Sequence, residues 1–108
     1  MDLEDLIKFV NRYAEQQKNI MGYMKDKQNL ILSSTVKIAE EFGELCDQVL
    51  SYNKRQRKDK MNRFNKDSLS EEFADVVVAI LMLAHDMNID IKDALNNKIK
   101  KLSEKYGI

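Results

Sequence analysis

The sequence predicts an all-α domain, a four-helix bundle-like fold assembled as an oligomer. Three observations carry that prediction. The 108 residues contain no proline and only three glycines, so long helices are easily accommodated and a turn-rich sheet is not. Apolar residues recur near every 3.6 positions in four separate stretches. A single domain of this length, residues 1–108, buries only a modest core alone, so self-association is expected.

The first stretch, residues 2–24, places Leu3, Leu6, Ile7, Val10, Tyr13, Ala14 and Met21 on one helical stripe. Asp2 is a suitable cap, and the acidic first turn suits the helix dipole. The exit is expected between Gly22 and Lys27, with Tyr23 and Met24 able to extend the helix. The second helix is expected from Gln28 or Asn29 to Tyr52, with Leu30, Ile31, Ile38, Phe42, Leu45 and Val49 as its apolar face. Gly43 inside that pattern costs about 1 kcal/mol relative to alanine and suggests close approach by another helix or a ligand.

Residues 53–67 break the periodicity, and seven of the fifteen are lysine or arginine. They read as a basic, partly helical linker. The third helix is expected from Ser68 or Ser70 to about Met87, with Ser68 and Glu71 as a capping box and Asp67 as a competing cap. Between Phe73 and Ala84 only Asp75 is polar, which places this helix at the centre of the domain. Asn88 reads as its exit. The fourth helix is capped by Asp90 and stopped by Gly107. Its expected buried stripe is Ile91, Ala94, Leu95, Ile99, Leu102 and Tyr106.

Charged residues make up 33% of the chain and cancel to a net charge of zero, so the protein is no general polycation. The single cysteine, Cys46, excludes an intrachain disulfide and a cysteine-based metal site, and reads as a buried, inert thiol. The start, MDLEDLIKF, lacks signal character, and the apolar run Val76 to Ala84 is too short to span a bilayer. A cytoplasmic protein without membrane contact is expected.

Two acidic pairs carry the chemistry. Glu41 and Glu44, and Glu72 and Asp75, each stand three residues apart on one helix face. Spacing alone does not choose between Glu40 and Glu41, since both lie near Glu44. Four carboxylates from two helices suffice for a hard divalent cation, magnesium or manganese. Solvated helix surface with ion pairs such as Lys37 to Glu41 is the competing reading. Asp75 argues against it, because an ionised carboxylate in an apolar run needs compensation. A metal, a basic side chain or the N-terminus of its own helix would each serve. No glycine-rich phosphate loop or HExxH motif competes, and the only histidine, His85, reads as structural or surface-lying.

Glu40, Glu41, Phe42, Gly43 and Glu44, followed after 27 residues by Glu72, Phe73, Ala74 and Asp75, resemble the motif of the MazG-like all-alpha nucleoside triphosphate pyrophosphohydrolases. Lys37, Leu45, the apolar run after Asp75 and the tail NKIKKLSEKYG are similar to that family's flanking pattern. Lys105 stands where an arginine is usual. The likeness spans about residues 28–107. It implies Glu41, Glu44, Glu72 and Asp75 as magnesium ligands, with manganese as a substitute, and Glu40 as an auxiliary catalytic acid. It implies cleavage of a nucleoside triphosphate, a deoxynucleotide by preference, between the α and β phosphates. It also implies a homodimer or homotetramer in which a neighbouring chain completes the pocket. The phosphate tail is assigned to Lys98 and Lys101, then to Lys54, Arg55, Arg57 and Lys58. The base is assigned to Asn29, Phe42 or Tyr13. The competing functions are a non-catalytic nucleotide-binding relative, a helical protein-interaction module, and a nucleic-acid-binding module using the basic run. Only Phe64 offers base stacking there, so nucleic acid is not the expected partner.

Overall fold

A computed structural model describes residues 1–20, 26–61 and 64–108. The predicted exit of the first helix, its Met21, and Asn62 and Arg63 of the basic linker lie outside these residues. The chain is all-α: α1 (Leu3–Ile20), α2 (Lys27–Tyr52), α3 (Lys58–Met61), α4 (Lys66–Asp86) and α5 (Ile91–Tyr106). Among the described residues there is no strand. The basic linker contains the one-turn α3.

Local chemistry sets the helix ends. Asp2 accepts from the Asp5 amide at 2.8 Å, and Asp5 returns the bond to the Asp2 amide at 3.2 Å. Asp26 caps α2 by accepting from the Gln28 amide at 2.9 Å, so the helix starts at Lys27, one or two residues earlier than the sequence suggests. Asn65, rather than Ser68 or Asp67, caps α4, accepting from the Ser68 amide at 2.7 Å. Phe64 precedes that cap and meets Tyr52 edge-on at 6.3 Å, which anchors the earlier start. Asp90 caps α5 as expected, and Gly107 closes it in the left-handed conformation, φ 67°. Asn88 also turns left-handed, φ 55°, a conformation that asparagine tolerates better than most residues.

The packing centres on α4, which lies along α2 and also meets α1. Ser34 bonds Asp86 while Glu41 approaches Glu72 and Asp75, so α2 and α4 run antiparallel. The core is Val10, Ala14, Ala79, Leu81 and Ala84. Three of these five are alanines, whose short side chains let the helices approach closely. His85 is structural, with Nε2 2.8 Å from Glu15 Oε1, tying α4 to α1.

Several predicted core positions are corrected. The α5 stripe is not buried, because among the described residues α5 has no extensive packing against another helix: Ile99 and Tyr106 are each 61% exposed. Phe42 is exposed and Val49 partly so, because α4 meets a neighbouring face of α2. A Cβ at Gly43 would meet nothing within 4 Å, so the chain itself does not explain that glycine by close packing. Cys46 is half-buried rather than buried. The radius of gyration is 16.8 Å, against about 13 Å for a compact chain of roughly this length. No helix among the described residues is long and apolar enough to cross a membrane.

The tether between α1 and α4 has a pH signature. The hydrogen bond from His85 holds the Glu15 carboxyl below the ordinary carboxylate range, aided by the charge of Lys18. A depressed carboxyl stabilises the fold above its unfolded pKa and loses that contribution as pH falls through the folded value. Glu15→Gln is expected to cost about 0.5–1 kcal/mol at neutral pH, measured by urea unfolding. The gap to wild type should close in strong acid.

Candidate functional site

The antiparallel seam between α2 and α4 brings the two acidic faces together. One carboxylate oxygen each from Glu41, Glu72 and Asp75 lies within 4.8 Å of the others, and all three residues are half-buried. Such convergence of like charge is unfavourable unless something positive sits among them. Glu41 Oε2 and Glu72 Oε2 are buried and have no hydrogen-bond partner among the described residues. Glu44 lies at the exposed edge of the same cluster. Burial pushes the Glu72 carboxyl up, and the charges of Glu44, Asp75 and Glu41 push it further. Burial likewise raises Glu44, followed by the charges of Glu41 and Glu40.

Lys37 supplies the nearby positive charge. Its Nζ stands 3.1 Å from Glu41 Oε1 and 3.4 Å from Glu40 Oε1. The bond to Glu41 is the main reason that the ammonium group is held above its ordinary range. This fixes Glu41 with one oxygen on Lys37 and leaves the other unpaired. The helix-dipole alternative for Asp75 does not apply. With α4 beginning at Lys66, Asp75 stands beyond its second turn, where the dipole has faded. An all-oxygen donor set with unpaired buried lone pairs fits a hard divalent cation.

The other predicted site residues are placed differently. Glu40 is exposed and engaged with Lys37. Lys98 and Lys101 are exposed on α5, which does not pack along the acidic seam within one chain. Lys54, Arg55, Arg57 and Lys58 are exposed in and beside the linker, with Arg57 3.7 Å from Asp59. The linker itself is tied back to α2. Asp47 accepts from Gln56 at 3.0 Å and from Lys60 at 3.2 Å, one turn beyond Glu44. Sequence reasoning missed that anchor, although Asp47 continues the three-residue spacing of Glu41 and Glu44.

Of the base candidates, Asn29 reaches back to the cap Asp26 at 3.5 Å and Phe42 faces outward, 55% exposed. Tyr13 lines a cavity of about 370 Å³ between α1, α2 and α4, which also takes in Lys37. A larger cavity of about 460 Å³ lies where α1 meets the α4–α5 turn. Its charges already pair with each other, Glu4 with Lys8 and Lys92.

No curated protein and no solved structure matches the chain. The sequence profile of the MazG-like family matches residues 32–108, a span that contains both acidic pairs, the linker and all of α5. The chain therefore belongs to the MazG-like family.

Proposed function

We propose that the protein is a magnesium-dependent nucleoside triphosphate pyrophosphohydrolase that cleaves between the α and β phosphates, releasing a nucleoside monophosphate and pyrophosphate. The observation that carries this reading is the convergence of Glu41, Glu72 and Asp75 with two buried, unpaired carboxylate oxygens, in a chain of the MazG-like family. Glu41, Glu72 and Asp75 would hold the ion, with Glu44 completing the set from the edge. Magnesium, when bound, supplies the charge that neutralises polyphosphate oxygens and polarises the attacking water; manganese would substitute.

The chain's own side chains do the rest. Lys37 holds Glu41 in place and offsets the charge of Glu40. Glu40, exposed beside the cluster, accepts the proton of the attacking water as its oxygen bonds to phosphorus and the α–β anhydride breaks. The pyrophosphate leaving group needs cations. Lys54, Arg55, Arg57 and Lys58 are close in sequence to the Asp47 anchor and can reach it from the linker. Lys98 and Lys101 would come from a second copy, since α5 leaves its own bundle.

The same geometry supports a homodimer or homotetramer. The face of α5 with Leu95, Ile99 and Tyr106, and the exposed Phe73, Val77 and Ile80 of α4, are large apolar surfaces without cover in one chain. A 16-residue helix without tertiary packing is marginal in water. The open space at Gly43 is compatible with a helix of a second copy.

Three outcomes are expected. With magnesium and a panel of nucleoside triphosphates, the protein releases pyrophosphate, and Asp75→Asn or Glu41→Gln lowers kcat/KM by about 100-fold or more. Release of single phosphate, or unchanged turnover in both variants, refutes the reading. Without metal, Glu72→Gln raises Tm, because it removes a carboxylate whose folded pKa is raised. Such a group stabilises the fold below its unfolded pKa and loses that contribution as pH rises through the folded value, so the gain is largest at neutral pH. Added magnesium should reverse the order of the two proteins. Finally, Ile99→Glu should shift the mass measured by light scattering toward a single chain.

A further inference from the structure

The cavity that includes Tyr13 begins one helical turn from the acidic cluster. Lys37 belongs to both: it lines the cavity and bonds Glu41 at 3.1 Å. On α4, Ala79 stands one turn beyond Asp75, and Asp86 eleven residues beyond it, about 16 Å along the axis. An occupant fixed by its phosphates at the carboxylates would extend along this groove, away from the linker. Its apolar walls come from Tyr13 and Ala14 on α1, Leu30 on α2, and Ala79 and Met82 on α4. They suit the faces of a flat heterocycle, with the Tyr13 ring available for stacking.

The polar lining is Gln17, Lys18, Ser33, Ser34, Lys37 and Asp86, of which Asp86 is the group that only accepts. Ser34 donates to Asp86 Oδ2 at 2.5 Å. The Ser34 bond fixes the carboxylate across the α2–α4 seam and keeps an acceptor in the wall of the cavity. A carboxylate accepts and does not donate while ionised. It therefore matches a base edge carrying an exocyclic amino group. It opposes an edge carrying a carbonyl oxygen, such as O4 of thymine or uracil.

We infer that this cavity is the base pocket of the proposed nucleotide site, and that Asp86, positioned by Ser34, selects amino-bearing bases (cytosine, adenine or guanine) over thymine and uracil. The inference rests on the pyrophosphohydrolase reading for the placement of the phosphates. Asp86 is a specificity residue here and takes no part in bond cleavage.

The test compares kcat/KM of the full chain with magnesium for dCTP, dATP and dGTP against dTTP and dUTP. It is paired with calorimetric titration of the same magnesium nucleotides into the protein. At least one amino-bearing base should be favoured over both thymine and uracil by about 10–100-fold, the contribution typical of a hydrogen bond to a charged group. Asp86→Asn, nearly isosteric and able to donate, should collapse that ratio, chiefly through KM. Ser34→Ala, which leaves the carboxylate in place, should retain the direction of preference with a smaller ratio. Equal or better use of dTTP or dUTP by the wild type overturns the pocket assignment and leaves the pyrophosphohydrolase reading standing. An undiminished ratio in Asp86→Asn, with the wild-type circular dichroism spectrum, does the same. Base-selective binding without turnover supports the pocket and overturns the hydrolase. Absence of both binding and turnover overturns both.

Discussion

The antiparallel seam between α2 and α4 is the constraint on which the rest of the structure depends. It brings two acidic helix faces together, and this closeness has an electrostatic consequence. Glu41 and Glu44 on one helix cannot avoid Glu72 and Asp75 on the other. Among the described residues, Lys37 offsets their charge directly, and it reaches Glu41 and Glu40 rather than the α4 carboxylates. Apolar burial elsewhere holds the helices in a register that their charges oppose. Metal-free, such an arrangement stores repulsion; with a cation it becomes a set of preorganised ligands.

The same seam organises everything around it. At one end Asp47 draws the basic linker back onto α2 through Lys60 and Gln56. At the other, Ser34 and Asp86 cross between the helices, and α1 lies nearby through its tether to His85. Acidic cluster, linker and cavity thus follow one another along a single groove. The part that does not join is α5. Its stripe is amphipathic and its ends are well capped, yet it stays largely unpacked within the chain, tied to α1 through Lys92 and Glu4. Faces of α4 and α5 thus stay open within one chain, and the radius of gyration is large for its length.

Much of this was legible in the residue order because it is local. Asp2, Asp90 and Gly107 act on neighbours within one turn, and their roles follow from side-chain chemistry and backbone freedom alone. The three-residue spacing of each acidic pair is local too, since a helix places such residues on one face. The cap of α4 was less legible. Asn65, Asp67 and Ser68 are all competent caps, and the outcome rests on Phe64 meeting Tyr52, a contact between segments separated by the linker.

The sequence by itself determined that the chain is helical, where most of its helices lie, and which carboxylates share a face. Those properties arise from periodicity and short-range hydrogen bonds. Only the tertiary structure decided that the two acidic faces meet, with Glu41, Glu72 and Asp75 converging and Glu44 at the edge. It alone linked His85 to Glu15, Asp47 to the linker and Ser34 to Asp86, because each link joins residues that no helical period brings together. It also reversed the expectation for Phe42 and for the α5 stripe. Amphipathicity states that a face needs covering; only the packing of whole helices decides whether the same chain covers it.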